Sequence, residues 1–312
     1  MDLSTLLSLA PGILAAALRM ATPIALAAYA GILAERAGVV NIAIEGMMLM
    51  AAMVADLVML YTGNIWAGVL AGVMAAGLLA LLHAVLSIKF MTDQIISGTA
   101  INILAGGITG FAYLRFLATP TLSRPSPSTL QPIEIPLLKD IPILGDVLFQ
   151  SRPIVYAMLI LTFVIYYVLF HTPWGLRVRA VGEHPKAADT MGINVYKVRY
   201  ISVVLSGLVA GLGGVWFSLE QVGHFDMQMI GGKGFIGLAA MIFGRWNPIG
   251  ALGAALLFGL PEALQINLAM SLPNIPYQFM SMIPYILTII VLTGVVGRAV
   301  APAADGKPYE KG

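Results

Sequence analysis

Long apolar runs, each near the roughly 20 residues a helix needs to cross the hydrocarbon core, alternate with short polar breaks. They fall at 12–34, 42–61, 65–88, 94–118, 153–171, 199–219, 248–268 and 278–298, and a shorter apolar piece at 234–243 predicts a ninth crossing or a broken half-helix. The pattern predicts an all-α polytopic membrane protein with about nine (8–10) transmembrane helices, residues 1–312 forming a single transmembrane domain. Residues 2–18 allow an additional interfacial helix before Arg19 and Pro23.

Two breaks are long. Residues 119–152 carry six prolines (Pro120, Pro125, Pro127, Pro132, Pro136 and Pro142), which forbid a continuous helix. The stretch reads as an external extended loop with a short hairpin near Ile141–Gly145, either a spacer or a docking surface. Residues 172–198 are punctuated differently. Pro185 suits a first helical position and Gly192 the left-handed position after a last one, which predicts a short helix between them. Ala187, Ala188 and Met191 then share a small apolar face. That face suits either a soluble partner or a resting place on lipid headgroups.

Charge orients the stack. With 172–198 in the cytoplasm, eleven lysines and arginines lie inside and six outside or near the outer ends, as the positive-inside rule requires. The N-terminus is then outside and the C-terminus cytoplasmic. Composition agrees: 59% of residues are hydrophobic and 10% charged, and the mean hydropathy is +0.90. A soluble domain needs about a quarter charged residues, so this chain cannot cover itself with polar surface. A formal charge of +2 without a basic cluster gives no case for nucleic acid. Absence of cysteine removes disulfides, thiolate metal sites and cysteine nucleophiles. Met1-Asp2-Leu3-Ser4 lacks a positive start, so the first apolar segment is expected to be retained.

Polar residues inside such a chain are the candidate chemistry. The run from Glu35 to Leu49 sets two carboxylates, an arginine and an asparagine between two apolar stretches. Asn41 and Glu45 are four apart, so a helix starting near Val39 would put them on one face, lining a solute path. Alternatively, Glu45 caps or pairs with Arg36 or a neighbouring helix. The next span starts with Gln94, Ser97 and Asn102, either path-lining groups or interhelical hydrogen bonders. Phe111, Tyr113, Trp216 and Phe217 could stack on a ring, worth about 1–3 kcal/mol per base, or be ordinary membrane aromatics. The four histidines are scattered, so no metal ligand set is expected. Asp56, Glu220, Asp226 and Glu262 could form a proton relay, the mark of an ion-coupled secondary transporter. There is no G-x-x-x-x-G-K-[ST], hence no P-loop nucleotide site, and no catalytic set that would suggest a membrane-embedded enzyme.

The run Glu35-Arg36-Ala37-Gly38-Val39-Val40-Asn41-Ile42-Ala43-Ile44-Glu45-Gly46 resembles the nucleoside branch of the permease family of ATP-binding-cassette importers, which includes ribose and branched-chain amino acid permeases. Arg179-Ala180-Val181-Gly182-Glu183, with Ala187-Ala188 and Gly192-Ile193, is similar to that family's coupling segment. A third similar run is Gly234-Phe235-Ile236-Gly237-Leu238-Ala239, followed by Phe243-Gly244-Arg245-Trp246-Asn247-Pro248. The resemblance runs the length of the chain. It implies a permease subunit without its own ATPase site or bound cofactor, with ATP used by a cytoplasmic partner. It also implies an external solute-binding protein, a second and different permease chain, and a bacterial inner-membrane location. Gly182, Glu183, His184, Pro185, Ala187, Ala188, Met191 and Gly192 would couple to the ATPase. Nucleosides are the expected cargo, and simple sugars the alternative.

Overall fold

In a computed structural model that describes residues 3–118, 128–134, 136, 141, 144–271, 278, 279, 282, 286 and 299–311, every regular element is helical. The elements are α1 (Leu3–Glu35), α2 (Ile44–Thr62), α3 (Ile65–Ala84), α4 (Gln94–Ala112), α5 (Leu144–Leu148), α6 (Pro153–His171), α7 (Pro173–Glu183), α8 (Pro185–Thr190), α9 (Val195–Val215), α10 (Lys233–Phe243) and α11 (Pro248–Ser271). α3, α4 and α9 each run on into a wider turn, at Val85–Lys89, Tyr113–Leu117 and Trp216–Val222. There the amide bonds back five residues, as from Phe90 to Val85 and from Ala118 to Tyr113.

Sequence chemistry sets the helix ends. Asn64 and Asp93 turn their side-chain oxygens onto the first free amides of α3 and α4, the role short polar residues play at N-caps. Gly63 ends α2 at φ 67°, a left-handed conformation that costs glycine nothing.

α1 is the buried centre: Ala25, Leu26, Ala27, Ala28, Tyr29 and Ala30 have no exposed surface. It packs against α9, α10 and α11, while α2 and α3 pack on α9 from the other side. Lipid tails are as apolar as leucine, so close backbone approach has to hold such helices together. Gly214 illustrates this, because a side chain there would strike the Met48 carbonyl of α2.

Among the described residues, seven helical segments are long and apolar enough to cross a membrane: 11–35, 44–62, 65–89, 94–117, 153–171, 195–222 and 248–267. They correspond to seven of the eight expected long spans. The eighth, 278–298, lies largely outside the described residues. The 234–243 piece is the half-helix α10, at 11 residues too short to cross.

Three expectations are corrected. Residues 2–18 form no separate interfacial helix, since α1 is continuous from Leu3 through Pro11 and Pro23; membrane helices tolerate proline where neighbours satisfy the freed carbonyl. Near 141–145 the described residues form no hairpin: the Gly145 amide bonds back to the Ile141 carbonyl (2.7 Å) and the short helix α5 follows. Finally, α2 begins at Ile44, so Asn41 lies in a connector before the helix and shares no helical face with Glu45.

Candidate functional site

Irregular backbone that is buried must find hydrogen-bond partners in the protein, and the α1–α2 connector shows how. Gln94 Oε1 accepts from the Val40 amide at 2.7 Å, and His83 Nε2 lies 2.9 Å from the Val40 carbonyl. Ser97 Oγ meets the other ring nitrogen of His83 at 3.1 Å. Asn102 accepts from the Gly46 amide at 2.8 Å and donates to the Ile42 carbonyl at 3.0 Å. The Asn41 amide, fully buried, donates to Ser206 Oγ of α9 at 2.9 Å. The polar first turns of α4 are thus spent on the connector's orphan backbone groups.

Glu45 reaches elsewhere. Its two oxygens accept from the Gly232 and Gly234 amides, at 2.8 and 2.7 Å, at the start of α10. A carboxylate there meets both the free amides and the positive end of the half-helix. Glu45 therefore joins α2 to α10 rather than pairing with Arg36.

Arg36 and Glu35 join the same assembly from α1. Glu35 Oε2 accepts from the Trp246 indole at 2.7 Å, and Arg36 Nε donates to the Trp246 carbonyl at 3.1 Å. Arg245 and Trp246 sit at φ 56° and 51°, conformations few residues other than glycine adopt, so this turn is held by its partners. The guanidiniums of Arg36 and Arg179 lie 5.6 and 5.3 Å from the centre of the Phe170 ring. Burial pulls the Arg36 guanidinium below its usual pKa, with Glu183 opposing and Arg179 adding to the effect.

The coupling-like segment closes the junction. Gly182 is buried, and a side chain there would collide with the Arg36 carbonyl. All three runs singled out in the sequence, far apart in the chain, therefore meet in one layer. α7 was not expected, and it carries Gly182 and Glu183 into that layer. Beyond it, His184 is the N-cap of α8, Pro185 its first residue, and Gly192 takes φ 81° just after it. Ala187 and Met191 are exposed, the latter at 81%, whereas Ala188 turns inward at 5%. The apolar knob presented outward is thus Ala187 with Met191. Two shallow cavities of about 330 and 460 Å³ flank it, sharing Gly192, Ile193 and Asn194 in their walls.

The aromatic candidates separate. Phe111 is 70% exposed on the outer face of α4, whereas Trp216 is buried, its ring edge-on to Phe217 at 4.9 Å. The carboxylates of the relay reading are each engaged locally. Asp56 accepts from the Phe225 amide, Glu220 from Ile154 and Asp226 from Gln228, and Glu262 pairs with Lys233.

A bundle of spans around buried irregular connectors, with a short exposed helix outside it, suits a transport subunit. The chain belongs to the family described as the permease component of the branched-chain amino acid transport system, which matches residues 13–292. It is 45% identical to the guanosine ABC transporter permease protein NupQ of Bacillus subtilis, over 100% of this chain and 99% of the relative. It is 38% identical to the nucleoside ABC transporter permease protein NupC of Lactococcus lactis, over 93% of this chain and 94% of that one. A putative glucose ABC transporter permease protein of Haloferax volcanii, TsgC13, is 36% identical over 94% of both chains. No solved structure matches.

Proposed function

We propose that this permease moves nucleosides inward across a bacterial plasma membrane, by alternating access driven by a separate cytoplasmic ATPase subunit. An external solute-binding protein delivers the cargo, and a second permease chain completes the path. The N-terminus faces outside; the junction, α8 and residues 299–311 face the cytoplasm. The observation that carries this reading is the exposed Ala187–Met191 knob, mounted on a junction where Glu35, Arg36, Gly182 and Trp246 interlock. ATP binding at the partner would pull α8, and the junction would pass the displacement to α1, α9 and α10. A solute is carried only if it contacts the outward and inward states differently.

Two features favour an uncharged cargo such as a nucleoside. Two relatives, 45% and 38% identical, carry guanosine or nucleoside in their names. In addition, the half-helix N-terminus within the bundle is already neutralised by Glu45, so it offers no free positive end to an anion. A simple sugar is the second reading, favoured by the Haloferax relative.

For the path we propose the exposed face of α4, which carries Thr99, Ile103, Gly106, Gly107 and Phe111, set against the second permease. Asn41, Glu45, Gln94, Ser97 and Asn102 would then shape the path by fixing the connector behind it, and Trp216 by packing on Phe217.

The test is uptake of labelled guanosine and glucose into liposomes holding this chain with its partner permease, ATPase and solute-binding protein. Guanosine uptake that requires ATP on the ATPase side is expected. Uptake by this chain alone under a proton or sodium gradient would sink the reading in favour of a secondary transporter.

A further inference from the structure

Residues 299–311 carry no regular element, yet the structure ties them to the junction at several points. The Ala304 amide donates to the Gly182 carbonyl at 2.9 Å, and the Ala303 amide to Glu183 Oε2 at 3.2 Å. Both contacts fall at the end of α7, immediately before α8. Arg199, buried at the start of α9, bridges two partners: Nε donates to the Ala37 carbonyl at 3.2 Å and Nη1 to the Lys307 carbonyl at 3.0 Å. The Asp305 carboxyl lies close enough to that of Glu35, at the end of α1, for the two to interact electrostatically. Tyr309 is buried against Tyr196, ring centres 5.4 Å apart, and the Tyr196 hydroxyl donates to the Tyr309 carbonyl at 3.3 Å. Lys311 Nζ lies 4.0 Å from Asp189 on α8 itself. Gly38, at φ 82°, has no side chain where Ala304 approaches: a Cβ would stand 3.1 Å from the Ala304 carbonyl oxygen.

One segment thus touches the end of α1, the 36–40 turn, α7, α8 and the first turns of α9. That arrangement answers a mechanical problem. α8 has only six residues and is followed by a left-handed glycine. A pull on so short a helix is dissipated by local opening unless it is tied to stiffer elements. Chains of packed and hydrogen-bonded parts carry coupling between sites, and residues 299–311 supply such a chain.

We propose that residues 302–311 are a strap that clamps the coupling helix to α1 and the 36–40 turn, so that displacement of α8 moves these elements as one body. The proposal rests on the reading of α8 as the ATPase contact.

The experiment compares the complete transporter in liposomes with two variants of this chain: one ending at Val300, the other Tyr309→Ala. The quantity read is cargo moved per ATP hydrolysed, which a merely stabilising segment would not change. The shortened chain should keep its ATPase while this ratio falls by about tenfold or more, within the span of measured allosteric couplings. Tyr309→Ala should fall in the same direction by a smaller factor. A ratio within about twofold of the parent for both variants overturns the strap. So does loss of the ATPase from the shortened chain, because the segment would then be part of the docking surface. If the shortened chain does not fold, Tyr309→Ala decides alone. Met191→Arg in the otherwise unaltered chain separates the two ideas: an ATPase that stays bound refutes the role of α8, whatever the strap variants do.

Discussion

Glu45 holds two backbone amides of a different helix, and its charge is matched to the half-helix it meets. Glu45→Gln keeps the shape but leaves only one good acceptor and no charge. Since a hydrogen bond to a charged group contributes about 1.5–3 kcal/mol, the variant should lose stability of that order, read as an earlier midpoint in an SDS titration. An unchanged midpoint would mean that α10 is held by packing alone. Asp305 allows a prediction with a sign. Burial pushes its carboxyl up to about 6, against the lowering effects of the Glu35 contact, the Gly306 amide and Arg199. A carboxyl raised in the folded state binds its proton more tightly there than in the unfolded chain. Its favourable contribution is therefore full below the ordinary value of 3.8 and is lost as pH rises through about 6. Hydrogen exchange at the Ala303 and Ala304 amides should accordingly be better protected at pH 5 than at pH 7.5, after correction for intrinsic exchange, and Asp305→Asn should flatten that difference.

At the scale of elements, α8 shows what spacing can and cannot reveal. Pro185 and Gly192 fix where a helix starts and stops whatever surrounds it, so the helix was legible. Which side of it faces a partner depends on neighbours: Ala187 and Ala188 are chemically identical, yet one is exposed and the other packs inward. Two different failures follow from arginine substitution. Ala187→Arg should leave a monodisperse permease that no longer retains its ATPase on size-exclusion chromatography. Ala188→Arg should lower the yield of folded protein itself, since a cation has to be accommodated at a buried site. If both variants fold and both shed the ATPase, the inward placement of Ala188 does not hold in the working transporter. The long spans were legible for a similar reason, because lipid solvation judges each run by its own composition. The destinations of Gln94, Ser97 and Asn102 were not, because a polar first turn looks the same whether it faces a solute or a neighbour's backbone. The strap was hidden too: Pro302, Gly306 and Pro308 give it no periodicity, and its partners Glu35, Gly182 and Arg199 are distant in the chain.

At the scale of the whole molecule, two of the described helices present outer faces of different kinds. α3 exposes Trp66, Leu70, Met74 and Leu78, uniformly large and apolar, which suits lipid tails. α4 exposes Ile103 and Phe111 around Gly106 and Gly107, with no atom within 4 Å of a Cβ built at either glycine. Small residues leave room for a second backbone to approach, and helix interfaces in membranes are enriched in them. On the proposed function, the α4 face would lie against the second permease and the α3 face against lipid. The chain has no cysteine, so single cysteines can be placed without background. Ile103→Cys should form a cross-link to the partner permease in native membranes with a short bifunctional reagent, and its yield should change when ATP is trapped. Met74→Cys should give none in either state. Cross-linking from Met74→Cys with silence from Ile103→Cys would place the interface, and with it the solute path, on the α3 face. The junction of Glu35, Arg36, Gly182 and Trp246 would then have to drive α2 and α3 rather than α4.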